Sequence, residues 1–400
     1  MMRLSPLPFI YIGIFSLLTF NACDINNTKD CQQEIISDPS YFTVDRVLTN
    51  TCTKQQGIDY ILTGNHTYTI SANTFIEAGT IIEVEDSAAL VIESTGTLQA
   101  IGTSTAPVII RGDHKSIGNW RGLYVRSSSA LNQLHQVHLQ DAGGLPMDGE
   151  TAQGAVVVLD QGKITISSSK ITSSATYGIN LAGATASLSK LENTTITGNL
   201  MPMHLFTTQA STITTGNNLR GNTNDYIAFS IMPFVNETYH WPMLNVPYRL
   251  MPADSSSTGV QSLSGTASLT IEAGCMLEML PQTGFSVRDL AKLSVLGTAN
   301  APIVFTGTTK NYSTWRGFEF RFTPMDNRFE YTRIEHAGGQ GGVIYMWGDP
   351  TLSLEDVDFT YSSSCAFYDA PKTSSQSINS NLFFRNISYD FVNSQYCKGS

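Results

Sequence analysis

Residues 76–110 read IEAGTIIEVEDSAALVIESTGTLQAIGTSTAPVII, and residues 271–305 read IEAGCMLEMLPQTGFSVRDLAKLSVLGTANAPIVF. Ile76-Glu77-Ala78-Gly79 recurs as Ile271-Glu272-Ala273-Gly274, and Gly102-Thr103 … Ala106-Pro107 recurs as Gly297-Thr298 … Ala301-Pro302. Further along, Trp120-Arg121-Gly122 recurs as Trp315-Arg316-Gly317, and Ala142-Gly143-Gly144 as Ala337-Gly338-Gly339. The offset is the same each time: 271−76, 297−102, 315−120 and 337−142 all give 195. Four matches in one register predict a duplicated module, and a fixed period is the signature of repeat architectures. After Gly144 the first copy carries an extra loop, Leu145 to Gln153. The register then resumes at 188, with Ile164 and Ile166 against Leu352 and Leu354. The expected organisation is an N-terminal segment 1–22, a tether and cap 23–56, module one 57–239, and module two with its C-terminal cap 240–400. No Pro/Gly/Ser linker separates the modules, which predicts one continuous body.

Within each copy short apolar runs alternate with Gly, Asn, Asp and Pro. Examples are Ile81-Ile82-Glu83-Val84, Leu90-Val91-Ile92, Val108-Ile109-Ile110 and Val156-Val157-Val158. Runs of three to five residues with turn signals between them are strands, and they suit a sandwich, a propeller or a solenoid. Thr195-Ile196-Thr197-Gly198-Asn199, Thr212-Ile213-Thr214-Thr215-Gly216-Asn217 and Ser168-Ser169-Lys170-Ile171-Thr172 recur at about one-coil spacing and favour the solenoid. An Asn after a strand suits a left-handed turn, and stacked Asn and Thr side chains can form ladders. At roughly 22 residues per coil and about 4.8 Å rise, some 15 coils would make a rod near 70 Å.

The Ile-Glu-Ala-Gly, Gly-Thr-x-x-Ala-Pro, Trp-Arg-Gly and Ala-Gly-Gly phrases resemble those of bacterial surface lipoproteins with right-handed parallel β-helices of the pectin-lyase-like class. The resemblance covers about Gly57 to Asp369. It implies an all-β fold, a right-handed parallel β-helix (a single-stranded solenoid) built from two duplicated modules.

The N-terminus reads as an export signal. Arg3 is its positive residue, and Leu7 to Phe20 is apolar but short for a membrane span. Phe20-Asn21-Ala22-Cys23 then resembles a lipobox, although Phe20 and Asn21 depart from the commonest form. The resemblance implies lipidation at Cys23 and anchoring to a bacterial membrane, most readily the outer membrane or cell surface. Asp24 signals inner-membrane retention in some lineages. Five further cysteines remain. An exported chain permits disulfides, and Cys31 with Cys52 and Cys365 with Cys397 are the candidate pairs. Cys275 sits in an apolar strand, where a free thiol behaves as a small hydrophobe.

The net charge of −10 and the absence of a basic run exclude nucleic acid as a partner. No zinc or facial-triad spacing, no Gly-x-Ser-x-Gly elbow, no phosphate loop and no Ca²⁺ repeat occurs. The resemblance implies enzymes on acidic polysaccharides: lyases with a Ca²⁺ site and a basic residue, or hydrolases with paired carboxylates. Asp141, Asp148 and Glu150, with Asp160, surround the loop present only in module one. They are the catalytic candidates, set against a plainer reading as a solvated loop. Tyr239, Trp241 and Trp347, with Tyr345, are candidates for stacking a sugar, against a plainer reading as junction packing. Arg121 and Arg316 share the parity of inward positions unless Gly122 and Gly317 break the alternation. The expected function is non-catalytic: binding an extracellular polysaccharide or surface component, or rigid scaffolding. The alternative is a polysaccharide lyase or glycoside hydrolase. No cofactor is expected, Ca²⁺ being the one ion the fold class suggests.

Overall fold

The paired strands described in the computed structural model run parallel to their neighbours, and most pair with the strand one coil earlier and the strand one coil later. The structure describes residues 31–52, 57–214, 216–253, 259–370 and 381–398. The proposed export signal and Cys23 lie outside the described residues. Among the described residues no helix is long and apolar enough to cross a membrane.

Three sheets run along the first half. One holds Tyr60–Leu62, Ile81–Val84, Val108–Gly112, Val137–Gln140 and Lys170–Thr172. A second holds Thr67–Ile70, Ala89–Ile92, Gly122–Val125, Val156–Val158, Tyr177–Leu181 and Met201–Phe206. The third holds Asn73–Ile76, Thr97–Ile101, Gln133–His135, Lys163–Ser167 and Ser187–Glu192. Identical strand faces stack in register, so apolar columns run down the interior. Tyr60, Ile82, Ile110, Leu139, Ile171 and Ile196 form one such column, each at most 5% exposed. Each side chain so buried contributes roughly 2 kcal/mol relative to exposure. In the second half aromatic rings do this work. Phe285 and Phe318 stack at 5.2 Å, with Phe305 and Phe329 edge-on to Phe318 at 5.0 Å.

The second sheet is continuous through both halves. Met201–Phe206 pairs with Ile227–Ser230, that with Tyr248–Met251, then Met276–Met279, then Ile303–Gly307. With the last three ranks it has thirteen strand segments, a rod of roughly 58 Å at 4.8 Å per coil. The rod is shorter than expected because some coils are long: Leu90 pairs with Leu123, 33 residues on. This continuity has a further consequence. Ile81–Val84 lies in the first sheet, but its counterpart 195 residues later, Met276–Met279, lies on the second. Segments that match at the 195-residue offset therefore lie on different sheets.

Several bonds recur at that same offset. The Trp120 indole donates to Gln140 O at 2.8 Å and the Trp315 indole to Glu335 O at 2.8 Å. The fully buried Asn132 and Asn327 accept from the N–H groups of Leu98 and Leu293. Gly122 and Gly317 have φ of 119° and 91° and break the strand alternation, and a Cβ at either would run into a carbonyl of the next coil. Arg121 consequently turns outward to Asp148 and Asn65 rather than to backbone carbonyls.

In the Thr-Gly-Asn phrases it is the glycine, Gly198 or Gly216, that takes positive φ, not the asparagine. The asparagines build the ladder instead: Asn199 Oδ1 accepts from Ser174 N at 2.9 Å, and Asn199 Nδ2 donates to Asn222 Oδ1 at 3.0 Å. At the first end Cys31 is bonded to Cys52, and the buried Asp59 carboxylate accepts the N–H groups of Thr51, Cys52 and Ile81. At the other end Cys365 is bonded to Cys397, while Cys275 is a free, buried thiol.

Candidate functional site

The acidic loop of the first half is a packed structural element. Its underside covers an apolar stripe on the outer face of the second sheet, made by Ala89, Val91, Tyr124 and Val157, with Met147 pressed onto it. The Tyr124 hydroxyl accepts from Met147 N at 2.9 Å and donates to Ala152 O at 3.0 Å, and burial pushes its pKa up to about 12. Asp148 pairs with Arg121. Glu150 pairs with Arg126 at 2.6 Å, and the same guanidinium takes Glu93 at 2.9 Å and lies 3.9 Å from Asp160. Asp141 is buried, at a φ of 64°, and burial raises its pKa. The catalytic candidates are thus spent separately: two on arginines and one in a left-handed corner. Among the described residues no three His, Cys, Asp or Glu side chains converge to hold a metal ion.

The aromatic candidates also separate. Trp241 is fully buried, its indole bonded to Thr207 O, so it is a core residue and not a surface for sugar. Tyr239 spends one ring face on Phe234, at 3.7 Å and 14°. Trp347 is half-buried on an outer face. Of the four tryptophans it alone is accessible, since Trp120 and Trp315 are also at 0% exposure.

Around Trp347 the register assembles residues that sequence reading did not connect. Arg288, Arg321 and Trp347 stand in one outward column, one coil apart. Beside it runs a second column, Ser286, Glu319, Tyr345 and Tyr368. Tyr345 and Tyr368 stack at 4.8 Å and 13°, while Trp347 meets Tyr345 at 6.0 Å and 46° and stays half-buried, with part of its surface accessible. Arg321 pairs with Glu319 at 2.6 Å and lies 5.8 Å over the Trp347 ring. Among the described residues the ion pair of Arg288 is with Asp289, at 3.9 Å with both groups more than half exposed. Such an exposed pair contributes almost nothing, so Arg288 is free to meet another anion. The indole plane with a guanidinium beside it suits the apolar face of a sugar ring, and a second guanidinium suits a carboxylate. The two-residue spacing of Tyr345 and Trp347 is visible in the sequence. Their alignment with Arg288 and Arg321 depends on coil lengths of 33 and 26 residues.

A family model described as a pectate-lyase like beta helix domain matches residues 46–160. No curated protein and no solved structure matches the chain. With the strand pairing, the match shows a pectate-lyase-like parallel β-helix.

Proposed function

We propose that this protein engages an acidic polysaccharide along the outer face of its second half. The column Arg288–Arg321–Trp347 carries the reading: one half-buried, accessible indole, one guanidinium held beside it and one whose ion pair among the described residues is a long, exposed contact with Asp289. A chain with net charge −10 repels polyanions over most of its surface, so local guanidinium contacts and stacking have to supply the recognition. The polymer would lie along the solenoid, where successive coils offer contacts about every 4.8 Å. Rigid scaffolding is compatible with the same rod.

Two outcomes of engagement differ chemically: retention of the intact polymer, or its cleavage by a lyase or hydrolase. The pectate-lyase-like match supports cleavage more directly than retention. The ion pairing of Asp148 and Glu150 supports retention, because a general acid or base has to be free to exchange a proton. The wider reading is of two duplicated right-handed modules, residues 57–239 and 240–400. They would be carried on a tether from a lipidated Cys23 after removal of residues 1–22, on a bacterial outer membrane or cell surface. The recurrence of the Trp120/Trp315 and Asn132/Asn327 bonds supports the duplication.

The test is electrophoresis of residues 24–400 through gels containing a polyuronate or a neutral glucan, with product absorbance and reducing ends followed in parallel. Retardation by the polyuronate alone, weakened about tenfold in Kd by Trp347→Ala or Arg288→Ala, is expected. Equal mobility in both gels would refute engagement. New unsaturated or reducing ends would decide for cleavage.

A further inference from the structure

Three polar side chains on successive coils of the second sheet, on its outer face, form one continuous hydrogen-bonded chain. The register sets Asn180 beside His204 and His204 beside Ala228, with Ser230 two residues further along the same strand. His204 Nδ1 lies 2.8 Å from Asn180 Oδ1, and Nε2 lies 2.9 Å from Ser230 Oγ. Asn180 Nδ2 donates to Gln153 O at 2.9 Å.

That last bond orders the rest. A backbone carbonyl only accepts, so the amide nitrogen of Asn180 faces Gln153 and its oxygen faces the imidazole. The oxygen only accepts, so Nδ1 carries the ring proton. A neutral imidazole then has a lone pair on Nε2, and the Ser230 hydroxyl has to donate to it. Burial holds the ring neutral, pushing its pKa down to about 4. Asn180 and Ser230 are 5% and 4% exposed, while His204 is only half-buried, with Tyr177 and Phe206 on either side at ring distances of 5.6 Å. A nucleophile bonded to a base that a third group orients is the arrangement that activates a hydroxyl.

We propose that Asn180, His204 and Ser230 form a nucleophilic relay that hydrolyses carboxylic esters, an activity separate from polysaccharide engagement. Ser230 Oγ attacks the ester carbonyl and its proton passes to His204 Nε2. The C–O bond to the alcohol breaks, and the departing oxygen takes that proton, leaving an acyl-serine. A water molecule then attacks the acyl carbon and gives its proton to His204. The carboxylic acid leaves and the Ser230 hydroxyl is restored. Asn180 is the positioning residue that fixes the tautomer. An amide in place of a carboxylate stabilises the transient imidazolium less, so the relay suits esters with good leaving groups rather than amides.

The closing experiment treats the full exported chain with an alkyl fluorophosphonate and maps the modified peptide. Parallel assays follow p-nitrophenyl acetate hydrolysis. Covalent labelling at Ser230 is expected, absent in Ser230→Ala and slowed at least 100-fold in His204→Gln. Asn180→Asp keeps an acceptor on Nδ1 and should retain labelling, with the onset of the pH profile moved upward. Absence of label at Ser230, or labelling that persists at the same rate in His204→Gln, would overturn the proposal. So would an unchanged pH profile in a labelled Asn180→Asp. Binding to polyuronate gels is unaffected in every case, since residues 288–368 are untouched.

Discussion

Acid should weaken this fold through one imidazole. His204 titrates near 4 in the folded chain against 6.5 when free, because burial penalises its charged form. Below pH 6.5 the unfolded chain binds a proton there and the folded chain does not, so stability falls as pH drops from 6.5 to about 4 and then levels. A shift of about 2.5 pH units at 1.36 kcal/mol each makes the full loss roughly 3 kcal/mol. The comparison is wild type against His204→Gln, which keeps polar atoms toward Asn180 and Ser230 but cannot titrate. His138 and His336 also have lowered pKa values, and Asp141 a raised one, but these titrate in both chains and cancel in the difference. Urea unfolding followed by far-ultraviolet circular dichroism at pH 7.5, 5.5 and 4.0 gives the two stability profiles. Wild type should lose about 3 kcal/mol more than the variant across that range, most of it below pH 6. Parallel profiles would show that protonating His204 costs the fold nothing and would refute the desolvated, hydrogen-bonded state of the half-buried imidazole.

Three other substitutions test the packing. Tyr124→Phe removes two of the bonds that hold the acidic loop, leaving the Asp148–Arg121 and Glu150–Arg126 pairs, so amide exchange and proteolysis at 145–153 should accelerate roughly 10-fold while the far coils stay protected. Trp315→Phe leaves a cavity and an unpaired Glu335 carbonyl, and should cost about 2–3 kcal/mol by urea unfolding; a cost under 0.5 kcal/mol would contradict the core placement. Cys31→Ala with Cys52→Ala opens a 21-residue loop and should cost roughly 3 kcal/mol, read as early exchange of the first coils.

The fold was legible because a solenoid writes its period into the chain. Trp120-Arg121-Gly122 and Trp315-Arg316-Gly317 reveal the offset, and the structure gives both tryptophans the same bond. Asn132 and Asn327 carry the same offset but lack a conspicuous phrase, and only their buried ladder bonds single them out. The placement of matching segments on different sheets was hidden, because it depends on how many residues each corner consumes between Ser187 and Ile227. The candidate site was partly legible. Trp347 was visible as an aromatic beside Tyr345, whereas Trp241, equally a stacking candidate in the sequence, packs with Phe229 and Tyr248 as the plainer junction reading has it. His204 gave no signal, since its partners lie 24 and 26 residues away across coils.

The most direct test of polysaccharide engagement uses the tryptophan that the core does not enclose. Acrylamide quenching of intrinsic fluorescence reports chiefly on Trp347, because the other three indoles are buried. A short oligouronate at saturating concentration should reduce the quenching constant severalfold, a neutral oligoglucan should not, and Arg288→Ala should need about ten times more ligand for the same protection. Quenching unchanged by the oligouronate would contradict the account, and equal protection by both sugars would remove the acidic specificity assigned to the arginine column.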